Sequence, residues 1–315
     1  MHIVITGANG FVGSHLVKAL LQNPKYSASI TRLSLIDMQF NQRLDDARIQ
    51  YFEGDFSQTA LTFDALKTPA DIVFHLASIP GGMAEQNYEL SRKVNIDATL
   101  YLLECLKNQT NTPRVIFAST IAVYGSDFPA IVDDETALKP QLTYASQKLI
   151  GEILIEDFSR RGWIDGLSIR LPGIVARPPV ASGLLSAFMS NMFWTLSKAE
   201  KFVCPVSANA IAWWMSVQCC VENLIHAADL DPALLNSGKR SFVLPVLHLT
   251  MQQVIEEICK KYDLDAKQMV EYQSNQDLEK NFGAYPEIVT QRADELGFKN
   301  DVNLQGLIQH VLDNT

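Results

Sequence analysis

The chain has 315 residues, 47% of them hydrophobic, and a formal net charge of −9. That suffices for one large domain or two coupled ones. The acidic balance, with no run of lysine or arginine, argues against nucleic acid or an anionic membrane as partner. Five cysteines, at 105, 204, 219, 220 and 259, show no metal-ligand spacing. Their odd number and irregular placing suit a reducing cytosol, so a cytoplasmic location is expected, with Cys219-Cys220 on a buried helix surface. With Met1 running straight into a strand, no signal peptide is expected. The longest apolar stretch, around Leu184 to Leu196, is broken by Ser and Asn and is too short to span a bilayer.

His2 to Ile5 reads as a buried strand. It feeds a glycine turn, Thr6-Gly7-Ala8-Asn9-Gly10-Phe11-Val12-Gly13, and then a helix over Ser14 to Leu21. Strand, glycine turn and helix together suit a dinucleotide, because the bare backbone approaches the pyrophosphate and the helix N-terminus faces that anion. Leu33 to Ile36 is the second strand, ending at Asp37. An acid about twenty residues past the glycines binds both ribose hydroxyls and repels a 2′-phosphate, so NAD is favoured over NADP. Arg32 and Arg43 lie nearby and pull the other way. Ile49 to Phe52 is a third strand, and Ile72 to Ser78 a fourth with small residues at its C-terminal end, where ligands of doubly wound sheets sit. His75 reads either as catalytic or as a strand-end imidazole satisfied by backbone. Gly81-Gly82-Met83 reads as a flexible loop that closes over substrate.

Asn87 to Lys107 reads as one long helix with Asn95 among apolar neighbours, where a buried amide needs partners. Arg114 to Ala118 is a fifth strand leading to Ser119-Thr120, whose hydroxyls suit a substrate oxygen. Pro129 to Pro140 reads as an acidic loop. A helix follows from Tyr144 to about Arg161, and a sixth strand over Gly166 to Arg170. Beyond it the rhythm loosens: a helix over Leu184 to Leu196, then Phe202-Val203, an amphipathic helix over Ser216 to Ala228, and a strand over Ser241 to Leu244. Thr250 caps a helix over Met251 to Tyr262. Ile288 to Leu296 and Leu304 to Leu312 read as two short helices. The expected fold class is α/β: a doubly wound parallel sheet over 1–177, with 216–248 returning to it. A smaller, interleaved substrate lobe is expected from 178–215 and 249–315.

Tyr144 and Lys148 stand four residues apart, on one helix face. A free tyrosine has a pKa near ~10 and is a poor base at neutral pH. A fixed cation favours the phenolate, and reaching ~7 takes about 4 kcal/mol at ~1.36 kcal/mol per pH unit. One ammonium with an oxidised nicotinamide in a dry cleft supplies a field of that size.

Together these pieces resemble the extended short-chain dehydrogenase/reductase family over nearly the full chain. The matching motifs are Thr6-Gly7-x-x-Gly10-x-x-Gly13, Gly54-Asp55, His75-Leu76-Ala77, Asn95, Ser119-Thr120 before Val123-Tyr124-Gly125, and Tyr144-x-x-x-Lys148. The resemblance implies a Rossmann sheet carrying NAD, with cofactor contacts from Gly7, Gly10, Phe11, Val12, Gly13, Asp37, Asp55, Phe56, Leu76, Ala77, Ser78, Asn95, Tyr144, Lys148 and Pro172. It implies that Asp55 bonds the adenine amino group, Asn95 supports the active-site helix, Tyr144 is the base or acid, and Lys148 holds the ribose and lowers the tyrosine pKa. Thr120 falls at the substrate-hydroxyl position, with Ser119 as the alternative. A homodimer packed through the Asn87 and Tyr144 helices is also implied.

Within the family the obvious reading is a nucleotide-sugar epimerase or dehydratase. Two departures oppose it. Gly173 stands where those enzymes usually carry an asparagine, and Ala212 replaces the arginine that clamps a diphosphate, which wants charge-assisted bonds. The chain instead resembles the D-erythronate dehydrogenase branch. Carrying that likeness are Arg170-Leu171-Pro172-x-Ile174-Val175-x-Arg177-Pro178, Cys204-Pro205-Val206-Ser207 and Pro140-Gln141-x-x-Tyr144. It implies oxidation of the C2 hydroxyl of a small sugar acid. Arg177 is the candidate for the substrate carboxylate, or else a structural arginine on backbone carbonyls. Trp213 or Trp214 either walls the pocket or sits in the core.

Overall fold

A computed structural model describes residues 1–179, 185–235 and 239–312. Seven parallel strands form the central sheet: β1 (His2–Thr6), β2 (Arg32–Asp37), β3 (Ile49–Glu53), β4 (Ile72–His75), β5 (Arg114–Thr120), β6 (Asp165–Leu171) and β7 (Ser241–Val243). Their order is β7-β6-β5-β4-β1-β2-β3, all pairs parallel. The order reverses between β1 and β4, so the crevice at their C-terminal ends is the switch point where such sheets bind ligands. β1 is buried along its whole length. Helices cover both faces, which is why Ile3 to Ile5 runs apolar without alternation.

One core joins Ile3, Ile5, Leu16 and Leu20 to Leu167, Val221, Leu224 and Phe242, and the tail adds Ala293, Leu296 and Phe298 to it. A second core gathers Val175, Met192, Phe193, Val206, Trp214, Met251, Ile255 and Val311. Around that core lie the strand Gly173–Val175, the strand Ile211–Ser216 and the strand Leu247–Thr250, paired in one small sheet. Ser216 links the two regions. It caps the helix Val217–Asp229 by accepting from Cys219 N–H, and its own N–H and hydroxyl both donate to the buried Asp301 carboxylate. Thr250 caps the helix Met251–Lys261 in a reciprocal box with Gln253. The adjacent Cys219 and Cys220 are free thiols on the buried face of their helix.

Several elements differ from the sequence reading. Gly81-Gly82-Met83 is not a loop: it forms the first turn of the helix Gly81–Gln86, held by Ala84 N–H on the Pro80 carbonyl and by burial of Ala84. The long helix is interrupted. Tyr88–Arg92 and Ala98–Lys107 are α-helical, but Lys93–Asp97 between them is a π turn, and that turn holds Asn95. Within the Pro129–Pro140 loop, Ile131–Val132 is a strand paired with Glu287–Ile288, far along the chain. Ile288 is therefore in a strand, and the first tail helix begins only at Gln291. The helix expected from Leu184 runs Phe188–Ser197 behind a short turn at Leu185–Ala187; Leu184 lies outside the described residues. Among the described residues no helix is long and apolar enough to cross a membrane.

Candidate active site

The ends of β1, β2, β4, β5 and β6 open into a cavity of about 780 Å³ that continues under the small sheet. Gly7, Gly10, Phe11, Val12, Gly13, Asp37, Asp55, Phe56, Leu76, Ala77, Ser78 and Pro172 line it, as do Ser119, Thr120, Tyr144, Lys148 and Arg177. Of the site residues singled out in the sequence, Asn95, His75 and Trp214 are not on this wall.

The dinucleotide end is built from bare backbone. Gly7 has φ +71°, and a Cβ there would lie 2.8 Å from Ala77 N; a Cβ on Gly13 would lie 2.1 Å from the Gly7 carbonyl oxygen. No side chain fits either position, so the turn stays tight and the helix Phe11–Gln22 presents its free N–H groups to the cavity. Asp37 ends β2 and accepts from Asn9 N–H at 2.8 Å. Burial pushes its carboxyl up, against hydrogen bonds from backbone N–H groups that pull it down. Of the two competing arginines, Arg43 pairs with Glu53 at 2.9 Å and Arg32 donates to Thr68 at 2.7 Å. Both guanidiniums are thus engaged elsewhere. A glycine cradle at a helix N-terminus, followed by a carboxylate at the next strand end, fits a dinucleotide with free ribose hydroxyls.

The reacting end is carried by the helix Thr143–Arg160. Glu85 starts it, accepting from Thr143 N–H at 2.6 Å. Tyr144 faces the cavity one turn from Lys148, whose ammonium lies 5.8 Å from the Tyr144 ring centroid. Burial raises the phenol pKa, while Ser78, the Arg177 guanidinium and Thr120 pull it down. In the protein alone the Arg177 guanidinium is the charge that draws the phenol down. Lys148 donates to the Ala118 carbonyl at 2.7 Å and packs 4.6 Å from the Phe117 ring centroid. Burial brings the lysine down to about 7.

The Ser119 and Thr120 hydroxyls have different partners. Ser119 is buried and donates to Glu152 at 2.5 Å, so its hydroxyl is committed inside the protein. Thr120 stands beside Tyr144, its hydroxyl accepting from Ala122 N–H at 3.2 Å and hydrogen-bonded to the Tyr144 phenol. Arg177 lines the cavity with its guanidinium 5.2 Å from the Phe11 ring centroid. Among the described residues no carboxylate pairs with it. The backbone-carbonyl role does not appear either: it is Arg177's own N–H and carbonyl that are bonded, to Ser190 and Trp194. Trp213 lines the cavity, and Trp214 is in the core.

Asn95 is not among the residues lining the cavity; it bonds to the Tyr144 helix, as expected of a support for that helix. Its side chain accepts from Ile79 N–H at 2.7 Å and donates to the Ile79 carbonyl at 3.0 Å, pinning the segment that follows β4. It also donates to Gln147 at 2.7 Å, and Gln147 donates to Ser91 at 2.9 Å. The extra residue of the π turn aims the amide at both targets. Gln147 was missed in the sequence, although its place between Tyr144 and Lys148 was the available signal. His75 is neutral: burial takes it to about 3, and Thr6 and Thr99 occupy its two nitrogens. Tyr285, Phe282 and Met189 also line the substrate end; they come from distant segments and had no local signature.

A Rossmann sheet with a glycine cradle and a buried Tyr144/Lys148 pair defines a dinucleotide-dependent enzyme. The chain belongs to the NAD dependent epimerase/dehydratase family, whose pattern matches residues 3–218, and NAD is its cofactor. Two curated relatives are named D-erythronate dehydrogenase. The one from Cupriavidus necator is 35% identical over 319 residues, covering 99% of this chain and 98% of that protein. The one from Haemophilus influenzae is 33% identical over 316 residues, covering 99% of each. Among solved structures, a nucleoside-diphosphate-sugar epimerase from Agrobacterium tumefaciens matches with TM-score 0.90 at 29% identity, over 100% of this chain and 94% of that one.

Proposed function

We propose that the protein is an NAD-dependent dehydrogenase that oxidises the C2 hydroxyl of a small, D-erythronate-like sugar acid to the 2-oxo acid. The observation that carries this reading is the Arg177 guanidinium, lining the cavity beside Tyr144 with no carboxylate partner among the described residues. A bidentate arginine matches one carboxylate in geometry and charge. The two full-length relatives named for D-erythronate support the same substrate class.

Bound in the cradle, NAD supplies a hydride acceptor. Tyr144 Oη takes the hydroxyl proton as phenolate. Thr120 donates to the same substrate oxygen and holds it in line. Arg177 grips the carboxylate, which fixes C2 rather than C3 or C4 at the phenol. Lys148 holds the ribose and adds positive charge. Trp213, Phe282 and Tyr285 exclude water from the far wall.

The rival reading is a nucleotide-sugar epimerase, favoured by the solved structure of that name. Its diphosphate lacks partners here. Lys148 and Arg177 are the lysine and arginine on the cavity wall among the described residues. Ala212 is buried, and a Cβ on Gly173 would lie 2.9 Å from the Trp213 carbonyl oxygen. The two readings separate in one assay. Purified protein with NAD and D-erythronate is expected to release NADH in step with 2-oxo acid, and UDP-sugars to give neither NADH nor epimer. Epimerised UDP-sugar without NADH release would reverse the assignment.

The dimer reading is supported by apolar side chains left exposed on the outer helix faces, Leu100, Ile150 and Ile153. The free cysteines agree with a cytoplasmic enzyme.

A further inference from the structure

Lys148 carries a second layer of support that the reaction scheme does not use. Tyr144, Lys148 and Glu152 follow one another at four-residue spacing on one helix, so they share a face. Glu152 is only 3% exposed. Its carboxylate accepts from the Ser119 hydroxyl at 2.5 Å and from Arg170 Nε at 3.0 Å on one oxygen, and from an Arg170 terminal nitrogen at 2.7 Å on the other. Ser119 and Arg170 are register partners across β5 and β6, each one residue before a cavity-lining residue, Thr120 and Leu171. The other terminal nitrogen of Arg170 donates to the Tyr124 hydroxyl at 3.0 Å, and the Tyr124 ring meets Trp213 edge-on.

We propose that Glu152 is a positioning residue for the catalytic lysine: clamped by Arg170 and Ser119, it supplies the counter-charge for the buried Lys148 ammonium and locks the helix to the two strand ends that frame the cavity. The charge count leads there. Lys148 is 2% exposed and donates its hydrogen bond to a neutral carbonyl. The groups around it are Tyr144 and Glu152 on its own helix, His75 from β4, and Arg170 from β6 behind Glu152, with Arg177 beyond Tyr144. Glu152 is the anion among them, and it holds the lysine's proton against burial. A buried ammonium without that neighbour sheds its proton and leaves ribose and phenolate without their cation.

The inference rests on Tyr144 and Lys148 being the reacting pair. Its test reads Lys148 directly, so it stands apart from the identity of the substrate. Protein isotope-labelled at lysine Cε is titrated by NMR without substrate, with Lys148→Arg identifying the signal, and the pH profile of kcat is recorded beside it. The wild-type midpoint is expected near 7. In Glu152→Gln the midpoint and the alkaline limb of the profile are expected to move down together by at least about half a pH unit, a roughly threefold change in proton affinity. Glu152→Asp, which keeps the charge, is expected to restore both. Arg170 left unpaired destabilises the fold, so Glu152→Gln with Arg170→Met carries the same test in a balanced interior. A midpoint that stays in place in whichever of these folds, with only a uniform fall in kcat, overturns the proposal.

Discussion

Lys148 Nζ donates to the Ala118 carbonyl oxygen at 2.7 Å, which ties the helix bearing Tyr144 to the strand that ends in Thr120. The bond fixes the two halves of the reacting end relative to each other before any ligand arrives. It also holds an amine inside the protein, and burial draws that amine from 10.5 down to about 7.

The stability cost of this arrangement has a definite sign. A lysine whose folded pKa is depressed opposes folding fully below about 7, and the penalty fades as pH rises toward 10.5. At ~1.36 kcal/mol per pH unit the penalty is on the order of 5 kcal/mol. The Ala118 carbonyl left without its donor gives back about 1–3 kcal/mol. Lys148→Met is therefore expected to raise the melting temperature of the cofactor-free protein by several degrees at neutral pH while abolishing turnover. Calorimetry from about one pH unit below the titration to about two above it should show the difference between variant and wild type shrinking as pH rises.

Arg177 provides a test of substrate class. Arg177→Ala removes a charge-assisted pair of about 1.5–3 kcal/mol, so KM for the sugar acid is expected to rise roughly 10- to 100-fold. Arg177→Lys should recover only part of it, because an ammonium lacks the planar fork. Steady-state kinetics on the acid and on its neutral amide check this: the amide should be nearly indifferent to the substitution.

Asp37 is expected to set the cofactor preference. Its carboxylate stands at the β2 end with Arg43 and Arg32 already engaged. Asp37→Ser is expected to lower the ratio of kcat/KM for NAD over NADP by about 10- to 100-fold, the size of one charge repulsion and one ribose hydrogen bond. Initial rates with both cofactors at saturating acid measure the ratio.

What the sequence made legible was chemistry set by local backbone. The Gly7 turn, the helix behind it, and the Tyr144/Lys148 spacing need only neighbours a few residues away, and the structure brings them to one cavity. Less legible was whatever a distant segment decides. Nothing near Asn95 announces that Ile79 and Gln147 will claim its amide and bend the helix into a π turn. Ile131–Val132 becomes a strand only because Glu287–Ile288 comes alongside. Ser119 and Thr120 look equivalent in the chain. Strand alternation sends one hydroxyl to Glu152 and the other to the cavity.

The outer faces of the two helices carry the prediction on assembly. Ile153 is 60% exposed and Ile150 is 40% exposed, and an apolar stripe of that kind marks a partner surface. Light scattering of the wild type is expected to give twice the chain mass. Ile150→Glu with Ile153→Glu should give a folded monomer, since both side chains point away from the cores.

Tyr144 is the centre of the proposed chemistry, and removing one oxygen atom tests it. Tyr144→Phe keeps the ring, the helix and the cradle, so NAD affinity by calorimetry should stay within about threefold while turnover of D-erythronate falls by about 100- to 10,000-fold. Turnover above a few percent of wild type at unchanged NAD affinity would contradict the assignment of the phenol as the group that takes the proton.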